Sequence, residues 1–561
     1  MTDMRRTLLW VVFTMSLVLL WDAWNKHTGQ PTMFSPPPRP AATAPAAPET
    51  GVPAPAAATA AGSSALPAPT ALPQAGAVLP QPGAAVPAST PTVTLASDVL
   101  ALTLDARGGD VVRAELLTQA DQFDPRKQVV LLDRSAERVY LAQTGLIGAP
   151  ELPNHLTTYT LQPGETTLAA GRDSVSAVFE SPEQGGVKLK KTLTLTRGSY
   201  AVQVRHEVVN TSGAALAPQL YTQLVRDGNP PPGESSFYFT FTGPVVYTDA
   251  KKFQKIDFSD IEKGRADHDK TADHGWVAMV QHYFFSAWLH NDKAPREFYT
   301  RKVDTNLYAV GQIFPLGAVE PGAVRAIDHV LYVGPQEENR IAAVAPGLDL
   351  VKDYGWFTIL AKPLFWLLDK LNSLLGNWGW AIVGLVVLLK AAFFTLNASA
   401  YKSMAKMKAI NPRITEMRER LKDKPQQMQQ EMMRIYKEEK VNPLGGCLPI
   451  LIQMPVFIAL YWVLLSSVEM RNAPWIGWIT DLSVKDPYYI LPLVMTGTTL
   501  LQTWLNPTPP DPVQARLMWA MPLIFSVMFF VFPAGLVLYW LTNNVLSIAQ
   551  QWVINRKLGV N

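Results

Sequence analysis

Cysteine is almost missing. A single copy, Cys447, in a chain of 561 residues rules out an intrachain disulfide. No Gly-Lys dipeptide occurs, which excludes a Walker A phosphate loop, and no Gly-x-Ser-x-Gly run marks a hydrolase elbow. The eight histidines all fall between His27 and His329 without metal-like spacing, so neither a zinc site nor any other cofactor is expected. A net charge of +3 is too small to imply a nucleic-acid partner. The most informative absence is local: the apolar runs 444–466, 488–505, 517–532 and 535–554 contain no Asp, Glu or His.

What is present divides the chain. Residues 1–6, with Arg5 and Arg6, precede the apolar run 7–24, which has no small-residue cleavage pair after it and is expected to be an uncleaved transmembrane signal anchor. Residues 25–91 form an Ala/Pro-rich linker with too few large apolar side chains to offset the entropy of ordering. Across 92–345, stretches such as VKLKKTLTLTRGSYAVQVRHEVV alternate apolar and polar residues about Gly-containing turns, which predicts a large antiparallel β-sandwich. The segment 356–376, apolar but interrupted by Lys362, Asp369, Lys370 and Asn372, reads as an amphipathic helix lying in a membrane interface.

After the Gly376-Asn377 break, 378–397 and the four runs without acids each approximate the ~20 residues a bilayer requires. With the anchor they make six expected spans. The 398–443 loop carries eleven basic and six acidic residues, whereas 467–487 has only Arg471 and Lys485. Arg556 and Lys557, in the tail 555–561, fall on the same side as the basic loop. Both termini are therefore expected in the cytoplasm and the β region outside. The expected fold is a multi-pass α-helical membrane protein with a periplasmic all-β domain.

One residue contradicts its surroundings. IVGLVVLLKAAFF, 382–394, is apolar except for Lys390, and a lysine mid-span costs about 2.5–3.5 kcal/mol on insertion scales. It lies twelve residues from both Trp378 and Lys402, about 18 Å of helix each way, which strains simple snorkelling. Gln453, Thr496, Thr498, Thr499, Gln502, Asn543, Asn544 and Ser547 are polar but uncharged. Together they suggest a wet pocket around one positive charge, attractive to an acidic visitor. Without a carboxylate or histidine relay, proton-coupled transport is disfavoured.

The runs YKSMAKM (401–407), EKVNPLGGCLPILIQMPVFIALYW (439–462), DPYYILP (486–492) and FPAGLVLYW (532–540) closely resemble the YidC family of membrane protein insertases, in order and along the entire architecture. The resemblance implies an insertase and chaperone of the bacterial inner membrane, acting alone or with the Sec translocon, and not an enzyme. It implies a five-helix core whose hydrophilic groove opens to cytoplasm and lipid, and a β domain of supersandwich type, similar in fold to sugar-mutarotating enzymes.

By that matching Lys390 stands where many relatives carry arginine, and Trp540, beside Tyr539, replaces a groove tyrosine. The implied groove set is Lys390, Gln453, Gln502, Asn543, Asn544, Tyr539 and Trp540, with Phe457, Met495 and Met528 as the hydrophobic slide. The 398–443 loop resembles a cytoplasmic helical hairpin. There Asn411-Pro412 is expected to break the helix leaving the second span, and Pro425 to start the second arm. Met404, Met407, Met417, Met428 and Met432 would offer a soft capture surface. Implied partners are nascent integral membrane proteins, Sec translocon components, the ribosome or signal recognition pathway, and anionic lipids. The rival readings are a polytopic small-solute transporter and a membrane-anchored carbohydrate enzyme.

Overall fold

The computed structural model describes residues 90–122, 124–149, 151–232, 240–421, 424–439, 448–506 and 512–557. The expected anchor and nearly all of the linker lie outside them. Between Thr92 and Pro335 the alternating sequence forms two nine-stranded sheets, and every strand pairing is antiparallel. In one sheet Gln219–Asp227 sits between Val139–Ile147 and Leu307–Pro315; in the other Ala201–Asn210 sits between Val187–Thr196 and Val324–Pro335. Val187, Leu189, Leu193 and Leu195 occupy the inward row of their strand, as period two requires, and most buried apolar residues of the two sheets form one core, with Ile147, Tyr221 and Ile313 in a smaller cluster apart.

Among the described residues eight longer helices follow: α1 Thr358–Leu375, α2 Trp378–Ala392, α3 Phe394–Arg420, α4 Pro425–Glu438, α5 Leu448–Ser466, α6 Ile490–Leu505, α7 Pro512–Phe529 and α8 Ala534–Lys557. Ala361, Phe365 and Leu368 give α1 a buried stripe, while Ile359, Trp366 and Leu374 face outward. Gly376, at φ 66°, ends α1 in the left-handed conformation that glycine accepts without penalty. Asn377 then caps α2, its side chain accepting from the Trp380 amide at 3.1 Å.

Two expectations fail beyond this point. The span placed at 378–397 is not one helix: it breaks at Phe393, and α3 leaves at 66° to α2. Pro412, expected to end a helix, lies inside α3. The reason is packing. Ile410, Ile414 and Met417 continue one apolar stripe across the proline onto Ile435 of α4, and that burial outweighs one lost backbone hydrogen bond. Pro425 does open α4, where a missing amide hydrogen is harmless. Among the described residues no single helix is long and apolar enough to cross a membrane; α2 with α3 as far as Ser403 meets that test as a bent pair.

Candidate functional site

Helix α8 is the axis of the site, packed along α6, α2 and α3 and touching α5. Its first turns, Ala534 to Tyr539, are buried and apolar but for the Tyr539 hydroxyl. Beyond Trp540 the same helix becomes polar at Asn543, Asn544, Ser547, Gln550 and Gln551, and each of these engages a different neighbour. Gln453 Nε2 of α5 donates to Asn543 Oδ1 at 3.2 Å, and Asn544 Nδ2 donates to Thr499 Oγ1 of α6 at 2.9 Å. Gln550 reaches the Phe394 carbonyl at 3.3 Å, and Gln551 the Asn506 side chain at 3.1 Å. The site is thus sealed towards the Ala534 end and polar towards the Lys557 end.

Lys390 stands in this polar half. Its Nζ donates to Ser547 Oγ at 2.7 Å, and the Ser547 hydroxyl in turn donates to the Asn543 carbonyl at 2.7 Å. The partner is a hydroxyl rather than a carboxylate, so the positive charge is hydrogen-bonded without being neutralised.

At the boundary between the two halves lies an aromatic bridge. The Trp540 ring meets Phe457 of α5 edge-on at 4.3 Å and Phe529 of α7 at 4.7 Å. Among the described residues α5 and α7 share no extended packing, and the Trp540 ring joins them. Tyr539, buried beside it, stacks on Phe457 at 5.8 Å.

The expected residues therefore separate. Lys390, Gln453, Asn543, Asn544, Tyr539, Trp540 and Phe457 converge. Gln502 is half-buried on α6 outside the hydrogen-bonded set, and Met528 is half-buried beside Phe529. Met495, expected on a slide, is 2 % exposed, buried in the helical core with the Thr499 hydroxyl against its carbonyl and sulfur. The hairpin methionines divide in the same way. Met417 is 4 % exposed in the hairpin core with Ile410, Ile414 and Ile435, and the half-buried Met407, Met428 and Met432 pack against that core. Met433 is the methionine that faces outward, at 59 %; the Met404 side chain is outside the described atoms. Sequence reasoning missed Phe529 and Gln551. The latter follows Ser547 by four residues on one helical face, a spacing that could have revealed it.

The β domain holds its own cluster of shifted groups, the usual mark of an active site. Burial pushes the Asp110 carboxyl up and the Lys191 ammonium down, and it drives His155 down to about 3. All three are closed over, however. Lys191 donates to the carbonyls of Gly108 and Thr144, at 2.5 and 2.8 Å, and His155 Nδ1 meets the buried Tyr221 hydroxyl at 2.5 Å. These groups tie strands and loops together inside the sandwich.

Comparisons with known proteins follow the same division. Residues 92–367 match the YidC periplasmic domain model and residues 370–560 the 60Kd inner membrane protein model. The membrane protein insertase YidC of Janthinobacterium sp. (strain Marseille) is 51 % identical over all of both chains. The insertase of the same name from Cupriavidus metallidurans is 54 % identical over 99 % of this chain and 98 % of its own, and that from Ralstonia nicotianae 54 % over 100 % and 99 %.

Proposed function

This chain belongs to the YidC family of membrane protein insertases, and from that membership we propose how it inserts a nascent membrane protein. The polar half of the site opens to the cytoplasm. Lys390 draws in the acidic tail of a substrate, exchanging its bond to the neutral Ser547 hydroxyl for an ion pair with a carboxylate. The apolar segment that follows leaves between α5 and α7, past Phe457 and Met528, into lipid. No nucleotide is consumed: transfer of the apolar helix supplies up to ~0.6 kcal/mol per Leu, Ile or Phe at mid-bilayer. A single ion pair need only offset part of the tail's desolvation.

In this reading α2 with the start of α3, and α5, α6, α7 and α8, traverse the inner membrane. The anchor at 7–24 adds a sixth span, both termini are cytoplasmic, and the β domain is periplasmic. Sec components at the periplasmic side, and the ribosome or signal recognition pathway with anionic lipid at the basic hairpin, are the proposed partners. The observation that supports the reading is the ammonium of Lys390, set among uncharged hydrogen-bonding groups in the polar half of a site whose other half is apolar and buried.

Photo-crosslinkers at positions 390 and 457 test it with ribosome-stalled chains of increasing length. Position 390 should capture the tail before position 457 captures the apolar segment. Crosslinks confined to the lipid-facing side of α6 would overturn the path. Saturable uptake of a small solute by purified protein in vesicles, without insertion, would favour the transporter.

A further inference from the structure

A charge more deeply buried than Lys390 lies outside the groove. The Lys352 side chain is 0 % exposed, between the last helical turn of the β domain and α1. Its Nζ reaches both carboxylate oxygens of Glu469, at 3.1 and 3.0 Å, and stands 4.0 Å from Glu338. It also lies 3.7 Å from the centre of the Phe365 ring on the buried face of α1. Tyr354 donates to the same Glu338 at 2.5 Å. One ammonium thus joins the end of the β domain, α1 and the turn that follows α5.

That turn is fastened residue by residue. His282 Nε2 of the β domain lies 3.0 Å from the Leu465 carbonyl in the last turn of α5. Val468 is buried in the β-domain core, Met470 in the helical core, and Glu469 between them turns to Lys352. Arg471 donates to the Ala120 carbonyl at 2.9 Å and covers the rings of Tyr283 and Phe284. Along its length α5 packs chiefly on α1, which Lys352 also touches, and the Trp540 ring stands between its Phe457 and Phe529 of α7.

We infer that Lys352, with Glu469 and Glu338, is a positioning centre that fixes the outer end of α5, and through it the separation of α5 from α7. A buried ion pair is unforgiving: loss of one partner strands the other charge, whereas removal of both is far better tolerated. The pair therefore holds α5 in one place, where an apolar contact would let it slide. This inference rests on reading the gap between α5 and α7 as the substrate's route.

The test uses the full-length protein in membranes, with Cys447→Ser removing the native thiol and cysteines placed at Phe457 and Phe529. Bifunctional maleimides of graded length report the separation of α5 and α7. Insertion is measured in matching proteins that keep both phenylalanines, at equal membrane levels. Lys352→Met and the milder Glu469→Gln should each shift the best-bridging length and lower insertion several-fold. Lys352→Met/Glu469→Met should return both readouts towards the parent. Single variants with the parent's bridging profile would overturn the positioning role, whatever their insertion. A shifted profile with full insertion would leave the positioning intact and overturn the gap as the route.

Discussion

At Lys390 the chemistry is that of one ammonium and one hydroxyl, and its substitutions separate charge from shape. Lys390→Arg should be tolerated, since it keeps the charge. Lys390→Ala should impair substrates with acidic tails and spare neutral ones, and Lys390→Glu should do worse, because repulsion acts at reduced dielectric. A substrate whose tail acids are changed to lysine should partly recover with Lys390→Glu, in an insertion assay at matched protein levels. Equal insertion of acidic and neutral tails by all three variants would reduce Lys390 to a snorkelling side chain. Trp540 invites a second substitution. Trp540→Ala removes the ring joining Phe457 to Phe529 and should destabilise the core by about 3–5 kcal/mol, read as a lower melting temperature in detergent, whereas Trp540→Tyr should cost much less. Lys390 and its polar neighbours were legible in the sequence because a charge in an apolar run is conspicuous alone. Met495 and Met417 were not, because whether a methionine faces lipid, solvent or its own neighbours depends on packing that no single-chain pattern encodes.

The hairpin of α3 and α4 is an element with a core of its own, and its predictions follow from that. Met417→Ala should expose the hairpin to protease, since emptying a buried methionine site costs about 2–5 kcal/mol, while Met433→Ala should leave cleavage unchanged. Deleting 404–437 should block insertion while the rest of the helical core survives extraction and melting. Full insertion by that deletion would remove any role in capture. The ion pairs of Arg413 with Glu438 and Glu439, at 3.1 and 2.8 Å, are half-exposed and contribute at most about 1 kcal/mol each. Boundaries marked by local chemistry, Gly376-Asn377 and Pro425, were readable in the sequence. The break at Phe393 was not, because nothing in LLKAAFFTLN opposes a continuous helix. Pro412 misled in the opposite sense, since tertiary burial overrode its local preference.

For the whole molecule, the β domain and the helices meet at few but buried places. A deletion of 92–330 removes His282, Ala120 and the core around Val468, yet retains Glu338, Lys352 and everything after them. Insertion should persist in that variant, with lowered thermal stability; its loss at normal membrane levels would show that the sandwich itself is needed. The sandwich should also be sensitive to acid. Burial holds His206 down to about 3, and His329, its ring 5.5 Å away, falls in the same direction. The unfolded chain, with histidines near 6.5, therefore binds more protons than the folded one between those values. Stability rises with pH in that window and is lost as pH falls from about 6.5 towards 3, by about 1.4 kcal/mol per pH unit for each such proton. Asp110, raised by burial, works in the opposite sense above its unfolded value but is one group against several. Melting of the full chain in detergent should fall between pH 7 and pH 4.5, and His206→Gln should flatten the slope. That the β region is a sandwich was plain from period-two patterning; how it seats on the helices was not, because Lys352 and Glu469 lie 117 residues apart.

The bend at Phe393 has an electrical consequence. Because α2 stops at Ala392, its peptide dipoles add up to a partial negative charge at that end, and Lys390 sits in the last turn. A continuous helix through 397 would have carried this pole farther along the chain. Broken where it is, α2 ends in a partial negative charge beside the ammonium; the positive pole of α3, which starts at Phe394 and leaves at 66°, offsets part of it, so the gain is at most about 0.3–1 kcal/mol. The chain thus compensates its lysine without a carboxylate. A paired acid would have cancelled the charge that a visitor must feel; a helix terminus lowers the cost of keeping the ammonium there and leaves its donors free to change partners.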